Sequence, residues 1–282
     1  MNYRHAFHAG NFADVLKHAV LTRILVHLRS KPAPFRVLDI HAGAGHYDLT
    51  GKEAQRSGEW RDGIARLAGA SIAAPARALL APYLDAVAAC NPEGRLTTYP
   101  GSPALVRTFL RLQDRLIACE LEPSAAAALA RHLAGDRCSK ALTIDGWTAL
   151  NAYVPPKERR GLVLVDPAYE DAGDFARLPA TLAAAHRKWA SGIYLVWYPI
   201  KDRTAPDALA RRLRNSAIPK ILRVELSITA REPNRLAACG LITINPPWTL
   251  AGELAILLPE LAAVLSAPAG GAHRLDWLAG ER

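Results

Sequence analysis

Residues 38–47 read LDIHAGAGHY. The apolar run at 35–40 has the length and composition of a short buried strand, and it gives way at Asp39 to a turn that carries Gly43 and Gly45. Glycine tolerates positive φ and lets a ligand approach the backbone closely. In a doubly wound sheet the first strand-to-helix turn has this character and lies at the carboxyl edge of the strands, where ligands bind. The stretch is neither the full G-x-G-x-x-G fingerprint nor a P-loop, since no G-K-[ST] follows. Taken alone, it is equally an ordinary tight turn.

Working outward, the spacing of Val15, Leu16, Val20, Leu21, Ile24 and Leu25 predicts a helix over 13–28. Downstream, strand-like runs at 116–119, 142–144, 162–165 and 193–197 alternate with helical segments. That alternation predicts a parallel sheet covered on both faces. Ser102 and Pro103 open one of the helices, with Ser102 expected as N-cap and Pro103 as the first helical residue. Near the end, runs at 220–229 and 240–245 are separated only by a loop and predict a hairpin with at least one antiparallel strand, followed by a helix at 251–266. Residues 51–95 are helical but broken by Gly and Pro, and are expected to form an inserted helical subdomain within a main domain made of 1–50 and 96–282.

Composition narrows the class of function. The chain has 282 residues, of which 50% are hydrophobic, enough for a full core. Its net charge of +9 favours a polyanionic partner. The four cysteines, at 90, 119, 138 and 239, are widely spaced and form no C-x-x-C, so neither a zinc site nor a disulfide framework is indicated. The polar, basic start MNYRHAFHAGNFADVLKH is unlike a secretory signal, and no run has the length and hydropathy of a membrane span. A cytoplasmic protein without a membrane contact or a bound metal is expected.

Three further strand ends carry acids. Glu120 in CELEP is placed to accept bonds from ribose hydroxyls, and Asp145 in TIDGW to help recognise an adenine ring, although each is also an ordinary loop or turn residue. The fourth strand ends in Asp166-Pro167-Ala168-Tyr169. An exocyclic amine on a nucleobase is a poor nucleophile because its lone pair is delocalised into the ring. An Asp166 carboxylate oxygen and the Pro167 carbonyl can together bond both amine hydrogens, which favours a pyramidal nitrogen facing an electrophile. Such orientation contributes roughly 7–11 kcal/mol at its upper end. Tyr169 offers a ring for an extruded base, worth about 1–3 kcal/mol. The electrophile would be the methyl group of S-adenosylmethionine, lying on the glycine-rich turn. The competing reading of DPAY is a β-turn with a packed tyrosine.

DPAY resembles the [DNS]-P-P-[YFW] motif of amino-methyltransferases. More specifically, YRHAFHAGNFADVLKH, HAGAGHYDL, YPGSP, RRGLVLVDPAYE, GIYLVWYP and INPPW together resemble the RlmJ family of 23S ribosomal RNA adenine-N6 methyltransferases, over nearly the whole chain. The resemblance implies an α/β, Rossmann-like methyltransferase fold with a mostly parallel seven-stranded sheet, a terminal antiparallel hairpin and a helical insertion. It implies S-adenosylmethionine as cofactor and 23S rRNA as partner, free or in an assembly intermediate, with a monomeric enzyme methylating the N6 amine of one adenine, position 2030 in the family. By the same resemblance His18, His41, Ser102, Glu120, Asp145, Gly146 and Asp166 contact the cofactor, Asp166 is the catalytic acid, and Tyr3 lies on the substrate side beside Pro167 and Tyr169. Ala168 departs from the family motif, which has a second proline there.

Other features have competing readings. NPPW at Asn245–Trp248 matches the generic motif more closely than DPAY, but it follows the presumed terminal hairpin rather than the strand expected beside the glycine-rich one. His5 and His8 lack a carboxylate pattern for a metal and fit base or phosphate contact better. The arginines of 211–223 read as a solvated helix face, and the basic loop 155–160 is expected to contact RNA. Methylation of adenine in DNA, or a noncatalytic RNA-binding assembly role, are the rival functions.

Overall fold

The computed structural model describes residues 4–171, 173–228, 235–266 and 270–280. The described chain begins with a 3-10 turn at His5–Phe7, followed by α1 (Phe12–Arg29) and β1 (Phe35–Asp39). A short strand, β2 (His46–Asp48), leads into α2 (Lys52–Ser57), α3 (Arg66–Gly69) and α4 (Ala74–Ala89), and β3 (Thr98–Pro100) closes this excursion by pairing antiparallel with β2. Then come α5 (Ser102–Phe109), β4 (Arg115–Glu120), α6 (Pro123–His132), β5 (Ser139–Thr143), α7 (Gly146–Tyr153) and β6 (Arg160–Val165). The remainder is α8 (Asp174–Lys188), β7 (Ile193–Pro199), α9 (Thr204–Arg214), β8 (Ile221–Ser227), β9 (Ala238–Ile244), α10 (Leu250–Leu265) and β10 (Ala272–Ala279).

The main sheet runs β10-β8-β9-β7-β6-β1-β4-β5. From β7 to β5 all pairings are parallel, whereas β9 lies antiparallel to both β7 and β8. The fold is therefore the expected Rossmann-like α/β sheet with a terminal antiparallel hairpin. It has eight strands rather than seven, because residues after the last helix return along β8 as β10. The expected hairpin strand at 220–229 ends within the described residues at Ser227, and Thr229 lies outside them. After β1 the chain winds outward through β4 and β5, then crosses back to place β6 on the other side of β1. The topological switch point thus falls between β1 and β6, and in such sheets ligands bind beyond the carboxyl ends of the strands there.

Both faces are covered. On one, α7, α8 and α9 pack over Leu38, Val163, Val165, Tyr194 and Val196. On the other, α1, α4, α5 and α10 share one core with Val37, Leu162, Leu164 and Leu195. Ile64, Leu67, Leu80 and Tyr83 from the 51–95 segment are part of that same core. Helix α1 is buried on nearly every side, which accounts for its apolar residues extending beyond one stripe. Asn11 caps it, accepting from the Ala13 and Asp14 N–H groups at 3.0 Å each. Two charged residues, Asp14 and Lys17, are nevertheless buried within it. Among the described residues no single helix is long and apolar enough to cross a membrane.

Candidate active site

β1 and β6 are in register with Asp39 beside Leu164, so the glycine turn after β1 and the DPAY turn after β6 leave the same edge of the sheet side by side. The Asp166 N–H donates to His41 Nδ1 at 3.2 Å and ties the two turns together. Burial pushes the His41 imidazole down to about 4, so the ring is neutral and its Nδ1 is an acceptor at ordinary pH. On the other side of β1, Gly43 N–H donates to Glu120 Oε2 at 2.8 Å, at the end of β4. Glu120 Oε1 accepts from the Leu121 and Glu122 N–H groups at 2.8 Å each. Gly43 has φ +62°, and a Cβ there would meet the Tyr47 hydroxyl at 2.1 Å, so the turn requires glycine twice over.

Asp145 caps α7, its Oδ1 accepting from the Thr148 N–H at 2.8 Å. The next residue, Gly146, allows the start of α7 to lie against the end of β1: a Cβ would sit 2.2 Å from the Ile40 carbonyl and 2.9 Å from His41 Nε2. Ser102 differs from expectation. Gly101 is the N-cap of α5 and Ser102 its first helical residue. The Ser102 hydroxyl is turned inward and donates to Asp39 Oδ2 at 2.6 Å instead of capping the helix. Asp39 is fully buried, and burial pushes its carboxyl up to about 7 despite the Ser102 bond. As the first helical residue, Ser102 is past the capping position, and its hydroxyl supplies a donor to that buried acid.

Beneath the DPAY turn lies a group that sequence reading missed. Lys17 Nζ donates to Asp166 Oδ2 at 2.5 Å and pairs with Asp14 Oδ1 at 2.9 Å. Burial alone would lower the Lys17 ammonium, but the two carboxylates outweigh it and hold it well above its ordinary value. Asp14 also accepts from Gly10 N–H at 2.9 Å and meets His5 Nε2 at 3.0 Å. His8, by contrast, turns to Glu59 at 3.0 Å. The sequence carries only a weak signal for Lys17: Asp14 and Lys17 are i,i+3 neighbours, a spacing that exposed helix pairs share.

Tyr169 adopts φ +53°, rare for an aromatic residue. Its hydroxyl donates to the Trp197 carbonyl at 2.6 Å, and its ring packs on Phe175 with centroids 4.6 Å apart. The ring is therefore clamped at both ends. His18 is 1% exposed; its Nδ1 meets the Tyr99 hydroxyl at 2.6 Å. Burial pushes it down to about 3, and its Nε2 has no hydrogen-bond partner among the described residues.

His18, His41, Ser102, Glu120, Asp145, Gly146, Asp166, Pro167 and Tyr169 all line one cavity of about 1220 Å³. Tyr3 lies outside the described residues. The rival motif is placed elsewhere. Because β9 is antiparallel to β7, Asn245 emerges at the opposite edge of the sheet, beside the start of β7. There its Nδ2 donates to the Ala190 and Gly192 carbonyls at 2.7 and 2.9 Å, and its φ of +51° shapes a connection. The basic loop 155–160 also lies at that far edge, about 20 Å of strand from Asp166. Arg160 is spent on the Leu28 and Ala33 carbonyls at 2.9 and 3.0 Å. Among the described residues no group of three or more His, Cys, Asp or Glu is arranged to hold a metal ion.

Comparison with known proteins shows the family. Residues 32–279 match the family model described as ribosomal RNA large subunit methyltransferase D, RlmJ. Over 283 aligned residues, with full coverage of both chains, the protein is 40% identical to ribosomal RNA large subunit methyltransferase J of Escherichia coli K12 and 36% identical to that of Haemophilus influenzae. The crystal structure of protein LPL1258 from Legionella pneumophila is similar at a TM-score of 0.87 and 33% identity, covering 96% of this chain and 98% of that one. With its glycine turn and its Asp-Pro-x-Tyr turn on adjacent strands, the chain belongs to the RlmJ family of ribosomal RNA large subunit methyltransferases.

Proposed function

We propose that the protein methylates the N6 amine of an adenine in 23S rRNA, with S-adenosylmethionine as donor, and that the target corresponds to the family's adenine 2030. The observation that carries the reading is the convergence of two turns on one cavity: a glycine turn flanked by Glu120 and Asp145, and a DPAY turn held by Lys17. Its volume, about 1220 Å³, exceeds the roughly 300–1,000 Å³ of a pocket for one ligand, which suits a cofactor together with an extruded nucleotide.

The residues fit the cofactor. Gly43 and Gly146 let the turn after β1 and the start of α7 pack closely at the cavity wall, and the buried, unpartnered His18 Nε2 is a polar atom that a bound group would satisfy. We assign His18, His41, Ser102, Glu120, Asp145 and Gly146 to holding it, with Glu120 toward the ribose and Asp145 toward the adenine ring. When bound, S-adenosylmethionine supplies an electrophilic methyl group.

The remaining work falls to the chain. Asp166 and the Pro167 carbonyl each accept one amine hydrogen and so aim the nitrogen lone pair. Lys17 engages Asp166 Oδ2, which leaves Oδ1 for the amine and fixes the carboxylate's orientation. His41 fixes the backbone of the same residue. Tyr169, clamped by Trp197 and Phe175, presents a rigid surface for the base. Ala168 in place of a second proline leaves the Pro167 carbonyl available. The assignment of Tyr3 to the substrate side rests on the resemblance of the N-terminal block. We read residues 51–95 as an insertion that completes the core of the 1–50 and 96–282 domain, and the cytoplasm as the site of action, in keeping with four unpaired cysteines.

Incubation with labelled S-adenosylmethionine and unmodified 23S rRNA, followed by nucleoside mass spectrometry, tests this. N6-methyladenosine at one position is expected. Label at another atom, or in DNA alone, would overturn it.

A further inference from the structure

Helix α9 reads TAPDALARRLR. Its apolar residues Leu209, Ala210 and Leu213 are buried, which leaves Asp207, Arg211 and Arg214 as a stripe at i, i+4 and i+7 along one exposed edge. β8 and β10 run beside that edge and turn further charges toward it. Glu225 is shared by Arg203 at 2.9 Å, Arg274 at 3.4 Å and Arg223 at 3.8 Å. Asp276 is taken by Arg223 at 2.8 Å and Asp207 by Arg203 at 2.7 Å. The three carboxylates are thus committed to Arg203, Arg223 and Arg274. Arg211 and Arg214 have no carboxylate within 4.0 Å among the described residues, yet with Arg223, Arg274, Ala210 and the Arg203-paired Asp207 they line a cleft of about 350 Å³. Cations in a last helical turn complement the helix dipole, which accounts for a basic residue there. It does not account for guanidiniums from a helix and two strands converging on one cleft.

We propose that this cleft binds backbone phosphates of the RNA and continues the substrate path away from the active site. Guanidinium forks match phosphate oxygens in a bidentate way, and five arginines around three carboxylates leave an excess of positive charge, the complement of a polyanion. The chain links the two cavities: Pro199, at the end of β7, and Lys201 line the active-site cavity, Arg203 follows, and α9 then carries Arg211 and Arg214 away from it along a helix of about 16 Å. The cleft rests on the RNA-methylating reading above and adds to it a contact remote from the chemistry.

The experiment compares Arg211→Glu, Arg214→Glu and the double variant with Arg212→Glu, the same charge change on the side of α9 that faces α8, where Arg212 meets the Ala176 carbonyl at 3.4 Å. Two RNA probes are used: a full-length unmodified 23S rRNA transcript and a short oligonucleotide holding only the target adenine and its nearest neighbours. For the double variant, KM for the long RNA should rise about tenfold, and the log–log salt slope should flatten by about 1.4, since each single-strand phosphate contact contributes about 0.7. kcat on the short probe, S-adenosylmethionine affinity and the melting temperature should stay unchanged, and Arg212→Glu should change the long-RNA KM far less than either single variant. An unchanged KM and slope in the double variant, or an equal effect of Arg212→Glu, would overturn the cleft while leaving the enzyme's activity standing. A wild-type protein that methylates no RNA would instead overturn the activity itself, and the cleft with it.

Discussion

Replacing Lys17 with methionine keeps a side chain of similar length but removes the charge that Asp14 and Asp166 share. Lys17 and Asp14 are almost fully buried and Asp166 is 15% exposed, so water cannot take over the ammonium's role. Removing one partner of a buried pair costs about 3–5 kcal/mol, because the other charge is left uncompensated. Asp14 keeps Gly10 N–H and His5, so most of the loss falls on the Asp166 side. Methyl transfer should suffer as well. Asp166 loses the bond at 2.5 Å that orients its carboxylate, and a hydrogen bond to a charged group contributes about 1.5–3 kcal/mol, or roughly 10- to 150-fold in kcat/KM. The decisive measurement is a double-mutant cycle of Lys17→Met and Asp166→Asn by denaturant unfolding, with single-turnover methylation in parallel. The double variant should be more stable than the sum of the single losses predicts, with a coupling of at least about 1.5 kcal/mol. A coupling within about 0.5 kcal/mol of zero would refute the ion pair as the support of the catalytic turn.

Asn245→Ala should lower stability by about 1–2 kcal/mol through its two lost bonds to Ala190 and Gly192 while leaving kcat near normal, whereas Asp166→Ala should abolish transfer and retain cofactor binding; the reverse pattern in single-turnover assays would show the wrong motif had been chosen. Gly146→Ala forces the start of α7 away from the Ile40 carbonyl, 2.2 Å from the added Cβ, so calorimetry should find S-adenosylmethionine binding weakened at least about tenfold, and unchanged affinity would remove α7 from the site. His18 and His41 have folded-state values pushed down by burial to about 3 and about 4, so between pH 6.5 and 4 the unfolded chain binds protons that the folded one does not. Their contribution makes stability fall as pH drops through that window, and His18→Gln should flatten the acid limb of a melting-temperature profile.

Much of the fold was legible because it depends on local pattern. Short apolar runs alternating with amphipathic helices predict a parallel sheet, and glycines or acids at strand ends mark its functional edge whatever the packing. The family resemblance added residue roles that spacing alone left open, such as those of His18 and Ser102. β10 was not legible: AHRLDWLA pairs along a sheet edge, where one-sided burial weakens the hydrophobic signal.

What the tertiary structure decided were relations between residues far apart in sequence. Sequence alone ranked DPAY against NPPW by presumed topology; the strand order settled their positions, because β6 runs beside β1 and β9 runs the other way. Ser102 had the chemistry of a cap, but a buried Asp39 63 residues away drew its hydroxyl inward. Lys17 reads as a surface lysine until α1 is seen to be enclosed, at which point its charge needs a partner and Asp166, 149 residues on, supplies it. A side chain's identity determines which bonds it is able to make. Desolvation, which only the packed chain imposes, determines which of those bonds it must make.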